Sequence, residues 1–319
     1  MKSKDIFVLF FLLPIVTVES GFLDFINVFR DKDDLRPFDA KEFGKDLRNS
    51  LYGQDIALKM IQKSVSWFMK DSNPSKPLVL SLHGPTGVGK TYVTKIIARN
   101  IYEMGEKSQH VHTFIATYHF PVIAQVELYE AQLKQWIHGN VSSFPRSMFI
   151  FDEVEKMNSR LIDTIKHFLD YVPKLDGVSF HNAIFIFISQ TGGNVINKLA
   201  LDYSRKGEET EELHINTNGM ESEIQDIFKD KSSGFWHSCL IENYLVDHFI
   251  PFLPLKLKDV RKCVLDEMIN LNIPVNRNLA ERVAGNMKYF PPEEKIFSVT
   301  GCKLVKQKLV LYTHDTDTL

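Results

Sequence analysis

Cysteine is scarce in this sequence, which has three among 319 residues: Cys239, Cys263 and Cys302. So few cysteines exclude a small disulfide-stapled domain and allow at most one bridge, with one cysteine left over. The chain also lacks any run of about 20 apolar residues, the length that a helix needs to cross a bilayer. No internal repeat and no low-complexity tract occurs, so nothing indicates a repeat protein.

An excess of charge of either sign is also missing. The formal net charge is -2, from 38 basic and 40 acidic residues, and no long run of Lys or Arg occurs. Nothing therefore indicates a polyanionic partner, and nucleic acid is not expected. With 44% hydrophobic and 24% charged residues, the chain can bury a sizeable core, and its length predicts one large domain and something smaller.

The first 20 residues have the pattern of a signal peptide. Lys2 and Lys4 precede an apolar run from Ile6 to Val18, and Val18 and Ser20 are small residues placed before a cut at Gly21. We therefore expect a lumenal or secreted protein. The alternative is an uncleaved segment that dips into a membrane, with peripheral association, because apolar residues continue beyond the cut at amphipathic spacing. Those residues are Phe22, Leu23, Phe25, Ile26 and Phe29.

Asn140 begins the one glycosylation sequon of the chain, Asn140-Val141-Ser142, since the proline in Asn73-Pro74-Ser75 disqualifies that tripeptide. The prediction has meaning only if the chain enters the secretory route. Such tripeptides also arise by chance.

Apolar segments and helical patterns alternate along the middle of the chain. Nearly continuous apolar runs predict buried parallel strands, and their alternation with helices predicts right-handed crossovers and an α/β doubly wound sheet. The predicted strands are Leu78–His83, Val111–Thr117, Ser147–Phe151 and Ala183–Ser189; the predicted helices between and before them are Asp55–Phe68, Lys90–Tyr102 and Leu128–Ile137.

The pattern changes beyond Pro251 and Pro254. Leu257–Leu271, Asn278–Met287 and Thr300–Tyr312 are predicted as helices, which indicates a smaller C-terminal helical domain. A polar segment, Tyr203–Asp230, is predicted as surface helix and loop. The predicted organisation is a signal peptide over 1–20, an N-terminal segment or linker over 21–48, a large α/β domain over 49–255 and a helical domain over 256–319.

A phosphate-binding loop follows the first predicted strand. The sequence G-x-x-x-x-G-K-[ST] is matched in full and lies between a strand and a helix, the context that the motif needs. Its glycines let backbone N–H groups turn toward a β-phosphate at the positive end of the following helix. Lys90 is expected to contact the β- and γ-phosphates, and Thr91 to ligate Mg²⁺. The loop consists of Gly84, Pro85, Thr86, Gly87, Val88, Gly89, Lys90 and Thr91.

Two carboxylates end the third predicted strand, in Met148-Phe149-Ile150-Phe151-Asp152-Glu153. This is a Walker B arrangement, in which Asp152 is expected to hold Mg²⁺ and Glu153 to activate water as general base. A solvated surface would not explain an acidic pair at the end of a buried strand. The Asp-Glu pair favours hydrolysis over phosphoryl transfer to a hydroxyl substrate, although a lumenal phosphotransferase is a further alternative.

With these motifs the chain resembles an AAA+ protein of the Clp type and, more narrowly, a torsin. The resemblance covers nearly everything after about Phe38. Leu51-Tyr52-Gly53-Gln54-Asp55 resembles the box beside the adenine, and Gly301-Cys302-Lys303 resembles the torsin motif that carries the sensor 2 lysine, here Lys303. Three further segments closely resemble torsins: Trp136–Ser142, Ser233–Ser238 and Phe252–Leu255.

The resemblance implies an AAA+ P-loop fold with a helical lid, and an ATPase of the endoplasmic reticulum lumen and nuclear envelope that remodels proteins or membrane-associated complexes. Torsins lack an arginine finger, and a membrane-anchored partner with a lumenal domain supplies it. This chain agrees, because no Arg or Lys occurs from Ser232 to Leu255. A supplied arginine is worth about 10³ to 10⁵ in rate in other P-loop enzymes. Homo-oligomerisation is a further expectation.

The resemblance also implies a redox-sensitive pair of Cys263 and Cys302; the alternative is that both are simply buried thiols. If they pair, formation of the disulfide would displace the neighbouring Lys303, and the redox state of the lumen would then change the affinity for nucleotide. Three departures from the family stand out, one of which is Gly285-Asn286 in place of an acidic pair often found near the partner-facing surface. Thr91 restores a hydroxyl where many torsins have Asn, and Gln190 occupies the sensor 1 position that is usually Asn.

Two functions from different classes remain. The first is a partner-activated ATPase, which the intact Glu153 favours. The second is a nucleotide-dependent binding module with little intrinsic hydrolysis, which Gln190 and the missing arginine favour.

Overall fold

The computed structural model describes residues 35–207 and 245–314. The predicted signal peptide, Cys239 and most of the segment predicted over Tyr203–Asp230 lie outside these residues. Within the two described stretches no helix combines the length and the apolar character that crossing a membrane requires.

A parallel sheet of five strands forms the centre of the described structure, with strand order β2-β3-β4-β1-β5. The chain starts in the middle of the sheet and crosses to either side, which is the doubly wound α/β arrangement that the sequence predicts. The strands are β1 (Leu78–His83), β2 (Val111–Ile115), β3 (Met148–Asp152), β4 (Ile184–Ser189) and β5 (His248–Pro251).

Alternate residues of each strand enter two different hydrophobic layers, because successive side chains in a strand point to opposite faces. Leu80 and Ile186 belong to the layer on one face, whereas Phe149 and Phe185 belong to the other. The rings of Phe149 and Phe185 stack across neighbouring strands at 5.1 Å between centroids. Both faces of the sheet are therefore buried by hydrophobic packing, which explains why most of the strands are almost entirely apolar.

Seven helices of the described residues accompany the sheet. Glycine loops or short turns precede several of them, and the helix after β1 begins directly at Lys90. The helices are α1 (Ala40–Ser50), α2 (Asp55–Lys70), α3 (Lys90–Ile101), α4 (Ala116–His119), α5 (Val126–Ser143), α6 (Ser159–Lys166) and α7 (Gly193–Arg205).

Helix α1 occupies residues that the sequence analysis assigns to a linker ending at 48. Asp39 caps its N-terminus by accepting hydrogen bonds from the backbone N–H groups of Lys41 and Glu42. Phe43 and Leu47, four residues apart, point into the core and are fully buried. The charged residues of this segment thus cover the outer face of a helix whose inner face packs on the large domain; the domain boundary at 48 stays a prediction.

The C-terminal part consists of three helices and a short hairpin. The helices are α8 (Leu257–Asn270), α9 (Arg277–Gly285) and α10 (Val305–His314), and the hairpin pairs β6 (Tyr289–Phe290) with β7 (Phe297–Ser298). The third helix begins at Val305, five residues after the predicted start, because residues 301–304 form a turn. The hairpin, β5, α6 and α7 were not predicted from the sequence.

Candidate functional site

The phosphate-binding loop connects β1 to α3 at the carboxyl edge of the sheet. Gly84, Gly87 and Gly89 all have positive φ angles, of 152°, 73° and 105°. A left-handed backbone of this kind strongly favours glycine. The loop therefore bends so that α3 begins at its last glycine, and the positive N-terminal end of that helix faces a cleft.

Lys90 lies folded into this loop. Its Nζ donates hydrogen bonds to the carbonyl oxygens of Gly84 at 2.6 Å and Pro85 at 2.7 Å. Burial lowers the pKa of Lys90 to about 8, although the nearby carboxylates of Asp152 and Glu155 raise it. The buried ammonium donates these two hydrogen bonds to neutral carbonyls, so an anion bound in the loop would be a favourable partner for its charge.

Thr91 and Asp152 meet across the cleft. The Thr91 hydroxyl donates to the Asp152 carboxylate at 2.9 Å, between α3 and the end of β3. The described residues contain no cluster of three or more His, Cys, Asp or Glu side chains suited to a metal. One hydroxyl and one carboxylate nevertheless fit Mg²⁺, which prefers oxygen ligands and takes its remaining ligands from water and substrate phosphates.

Glu153 follows the strand in an unusual conformation. Its φ of 59° and ψ of 40° place a non-glycine residue in the left-handed region, which is uncommon and often marks functional sites. The backbone N–H of Glu153 donates to Asp152 at 2.8 Å, and the Thr117 hydroxyl donates to the Glu153 carboxylate at 2.5 Å. The turn thus directs two consecutive carboxylates to different partners.

Gln190 lies one residue beyond the end of β4 and lines the same cleft. Its backbone N–H donates to Glu155 at 3.2 Å, and the hydroxyl of Ser189 donates to the same carboxylate oxygen at 2.9 Å. The parallel sheet explains the proximity: β4 is the neighbour of both β1 and β3, so the carboxyl ends of the three strands lie side by side.

The lid touches the phosphate-binding loop through backbone atoms. The N–H of Cys302 donates to the carbonyl of Gly87 at 2.9 Å. A Cβ atom added at Gly301 would come within 2.2 Å of the Gly87 oxygen, and one added at Gly87 within 2.0 Å of the Thr300 oxygen. Only glycine therefore fits at position 87 and at position 301. The close contact between these two glycines brings the turn that carries Lys303 to the cleft.

A disulfide joins Cys302 to Cys263 of α8, with Cα atoms 6.2 Å apart. The bridge closes a loop of the lid and ends one residue before Lys303. Because Cys302 also binds Gly87 through its backbone, the bridge, the phosphate-binding loop and Lys303 are mechanically connected. Lys303 is exposed at the cleft. Burial is the main cause of the lowered pKa of Lys90, and the positive charge of Lys303 makes a smaller contribution in the same direction.

Tyr52 makes the second connection between the large domain and the lid. Its hydroxyl donates to the Asp266 carboxylate on α8 at 2.6 Å, and Lys262 lies over its ring at 5.2 Å from the centroid. The resulting cleft has a volume of about 540 Å³, within the range of ligand sites. It is lined by Thr86–Thr91 of the loop and by Leu51, Tyr52, Asp152, Glu153, Gln190, Cys263, Asp266, Asn270 and Lys303, among others.

Asn140 is remote from this cleft. It lies near the end of α5, where its side-chain amide donates to the carbonyl of Trp136 at 2.7 Å. Glycosylation of this half-buried residue stays a prediction.

The structure thus brings the loop residues, Asp152, Glu153, Gln190 and Lys303 to one cleft, and their roles stay predictions. Sequence reasoning missed Thr117, Glu155 and Ser189. Thr117 is the last residue of an expected strand, and Glu155 is the third acid after another expected strand, so position could have drawn attention to both. Their hydrogen-bond partners could not be read from the sequence.

Comparison with known protein families gives two matches. A family model described as Torsin matches residues 25–151, and one described as Torsin-1A, C-terminal domain, matches residues 255–312. Together they cover more than half of the chain. The first includes the phosphate-binding loop and ends before Asp152, and the second includes Lys303.

Proposed function

Because this chain belongs to the torsin family of AAA+ ATPases, we propose that it binds ATP with Mg²⁺ in the cleft between the sheet and the lid and hydrolyses it. The observation that carries the proposal is the convergence of Lys90, Thr91 and Asp152 at the carboxyl edge of the sheet. Ligands of α/β folds commonly bind at that edge.

The loop, Asp152, Glu153, Gln190 and Lys303 each have a role in this proposal. Lys90 exchanges its carbonyl partners for phosphate oxygens, and backbone N–H groups of the loop surround the β-phosphate. Thr91 and Asp152 would hold Mg²⁺, which would supply positive charge to neutralise the phosphates. Glu153 accepts the proton of the attacking water, and the amide of Gln190 orients that water. Lys303 adds a positive charge from the lid.

A partner completes the site in this proposal. The sequence from Ser232 to Leu255 contains no Arg or Lys, so the chain does not place its own arginine finger there. We infer that a membrane-anchored protein with a lumenal domain supplies the arginine at an interface, as the family resemblance implies. The same resemblance supports the endoplasmic reticulum lumen and the nuclear envelope as the location, and protein or membrane-complex remodelling as the purpose.

A nucleotide-dependent binding module is the second candidate. Gln190 favours it, because a side chain one methylene longer than Asn places its amide differently relative to the attacking water. In that case ATP holds the chain against its partner, and slow turnover releases it.

The decisive experiment measures ATP turnover by the purified lumenal chain with and without the lumenal domain of a candidate membrane partner. We expect turnover that requires Mg²⁺, rises with the partner and disappears with EDTA. Lys90→Ala should lose nucleotide affinity. Glu153→Gln should retain ATP and remain bound to the partner without turnover.

The same variants separate the two candidates. Wild-type protein that binds ATP and partner but turns over no ATP with any candidate favours the binding module. Absence of Mg²⁺-dependent nucleotide affinity, or affinity that survives Lys90→Ala, contradicts both.

A further inference from the structure

The segment Ser189–Thr191, which carries Gln190, is held from two sides by side chains that the proposed mechanism does not use. On one side Glu155 accepts hydrogen bonds from the Ser189 hydroxyl and the Gln190 backbone. Ser189 is almost completely buried, and its oxygen also accepts a hydrogen bond from the Thr191 N–H at 3.0 Å. One serine hydroxyl therefore links Glu155 to the turn that follows β4.

On the other side lies His83, the last residue of β1. Its Nδ1 is 3.3 Å from the Thr191 carbonyl, and its Nε2 is 2.6 Å from the Ser81 hydroxyl. Burial lowers the pKa of His83 to about 3, so the imidazole is neutral at physiological pH. A carbonyl can only accept, so Nδ1 carries the proton and Nε2 accepts from Ser81. The histidine thus fixes the far end of the same segment.

Glu155 itself is placed by rigid structure. It lies in the short 3-10 helix Val154–Lys156, directly after Glu153, and Val154 anchors that helix with a fully buried side chain. The carboxylates of Glu153 and Glu155 consequently come from one turn but contact different neighbours, Thr117 and the Ser189–Gln190 segment. This turn therefore connects the proposed general base to the backbone of the proposed water-orienting residue.

We propose that Glu155 is a positioning residue for ATP hydrolysis: its carboxylate fixes the backbone of Gln190 relative to Glu153. The inference rests on the proposed function and deepens it. A glutamine side chain has one more rotatable bond than asparagine, so its amide is useful at the site only if its backbone is held in place. Displacement of a reacting group by about 1 Å can cost about 10²-fold in rate.

Two variants separate positioning from charge. Glu155→Ala removes the hydrogen-bond acceptor and the charge, whereas Glu155→Gln removes only the charge and keeps an acceptor oxygen. Rates are measured as single-turnover hydrolysis, with protein in excess over radiolabelled ATP, so that basal chemistry is seen without a partner. We expect Glu155→Ala to slow hydrolysis about 10²-fold with an ATP Kd within about threefold of wild type, and Glu155→Gln to restore the rate to within about fivefold.

A second readout does not depend on turnover. Hydrogen–deuterium exchange of the peptide over residues 184–195 should increase in Glu155→Ala and stay near wild type in Glu155→Gln, because the Gln190 amide loses its acceptor only in the first variant. Glu106→Ala is the matched control: this surface glutamate pairs with Lys95 at 2.9 Å near the opposite end of α3 and should change neither readout.

The outcomes are distinct. A Glu155→Ala rate within about threefold of wild type, unchanged exchange, or equal losses in both Glu155 variants with a weakened ATP Kd would overturn the proposal; the last result would assign Glu155 to the charge balance of Lys90. Wild-type protein without any turnover, both alone and with the lumenal domain of every candidate partner, would contradict the proposed hydrolysis, while the exchange measurement would still decide whether Glu155 holds the segment.

Discussion

At the scale of single residues, the three acids at and after the end of β3 have separate contacts because their backbone directs them apart. Asp152 ends the strand and contacts Thr91, whereas Glu153 turns through a left-handed conformation toward Thr117. Glu155 then reaches the Ser189–Gln190 segment. A regular strand would have sent neighbouring carboxylates to opposite faces of the sheet, so the turn is what keeps all three at the cleft.

A second residue-scale feature is His112 on β2, which has an apolar environment. Its ring stacks on Phe149 at 5.0 Å and meets the edge of Trp136 at 5.9 Å, and its buried Nε2 has no hydrogen-bond partner among the described residues. Burial, with a smaller contribution from His110, lowers the pKa of His112 to about 4. The imidazole is therefore neutral in the folded protein at neutral pH.

We predict that His112 makes the protein acid-sensitive. Its folded pKa lies below the unfolded value of about 6.5, so the unfolded chain binds more protons between those values. Stability from this residue is present above pH 6.5 and is lost as pH falls toward 4. From pH 7 to pH 5, wild type should lose about 2 kcal/mol more unfolding free energy than His112→Phe, measured by urea titration.

Between pH 7 and pH 8 the unfolding free energies of wild type and His112→Phe should change in parallel, because His112 binds almost no additional proton there in either the folded or the unfolded chain. Equal losses of stability in wild type and His112→Phe on acidification would contradict the prediction.

At the scale of elements, α1 shows how far the large domain extends toward the N-terminus. The helix is tied to α3 by more than apolar contact, because Arg99 and Asn100 both donate hydrogen bonds to Asp46, Arg99 at 2.6 Å and 2.8 Å. A helix that contributes buried residues and hydrogen bonds to the core is part of the folding unit.

We predict that Leu47→Ala destabilises the protein by about 2 to 5 kcal/mol, the usual cost of truncating a fully buried leucine. The exposed neighbour Lys45 is the control, and Lys45→Ala should change unfolding free energy by less than about 0.5 kcal/mol. Thermal or urea unfolding measures both. Equal, small effects would mean that residues 40–48 behave as a linker after all.

The turn Gly301–Lys303 is the second informative element. Its N–H contact with Gly87 and the disulfide to Cys263 constrain Cys302 from two directions. Reduction of the bridge removes one of these constraints beside Lys303.

We therefore predict that reduction changes ATP affinity in wild type by about threefold to tenfold, the range expected for one ordinary hydrogen bond. Cys302→Ser should have one affinity under both conditions. Isothermal titration with and without reductant measures the effect. If wild-type affinity is the same in both buffers, the bridge has only a structural role.

At the scale of the whole molecule, the cleft exists because two parts of the chain meet. The strand ends and the phosphate-binding loop form one wall, and α8 and the turn at Lys303 form the other. The Tyr52–Asp266 hydrogen bond connects the walls at the end where the resemblance places the adenine. Burial and the nearby Asp266 raise the pKa of Tyr52, so the hydroxyl stays protonated and keeps donating.

We predict that Tyr52→Phe weakens ATP binding about fivefold to tenfold, because a lid without this bond holds the nucleotide less firmly. Asp266→Asn should have a similar effect, and the double variant should be no worse than either single one, since both remove the same interaction. Thermal stability without nucleotide should fall only slightly. Fully additive losses of affinity would show that the two residues act separately.

The sequence alone determined the parts of this protein that depend on local chemistry. The phosphate-binding loop needs glycine at fixed positions and a lysine and a hydroxyl at its end, so the chemistry of Gly84–Thr91 can be read directly. Buried parallel strands are apolar on both faces, so four of the five described strands and the fold class could be predicted. The hydrophobic pattern of β5 is too short, and that of α1 is too diluted by charged residues, for either element to be predicted from the sequence.

Only the tertiary structure decided which distant side chains meet. The contacts of Thr117 with Glu153, of Glu155 with Gln190, of Tyr52 with Asp266 and of Gly301 with Gly87 join residues far apart along the chain. The order of the strands and the docking of the lid produce these contacts. Hydrogen bonds act over about 3 Å, so partners are fixed by the packing of the elements that carry them, which no local pattern encodes.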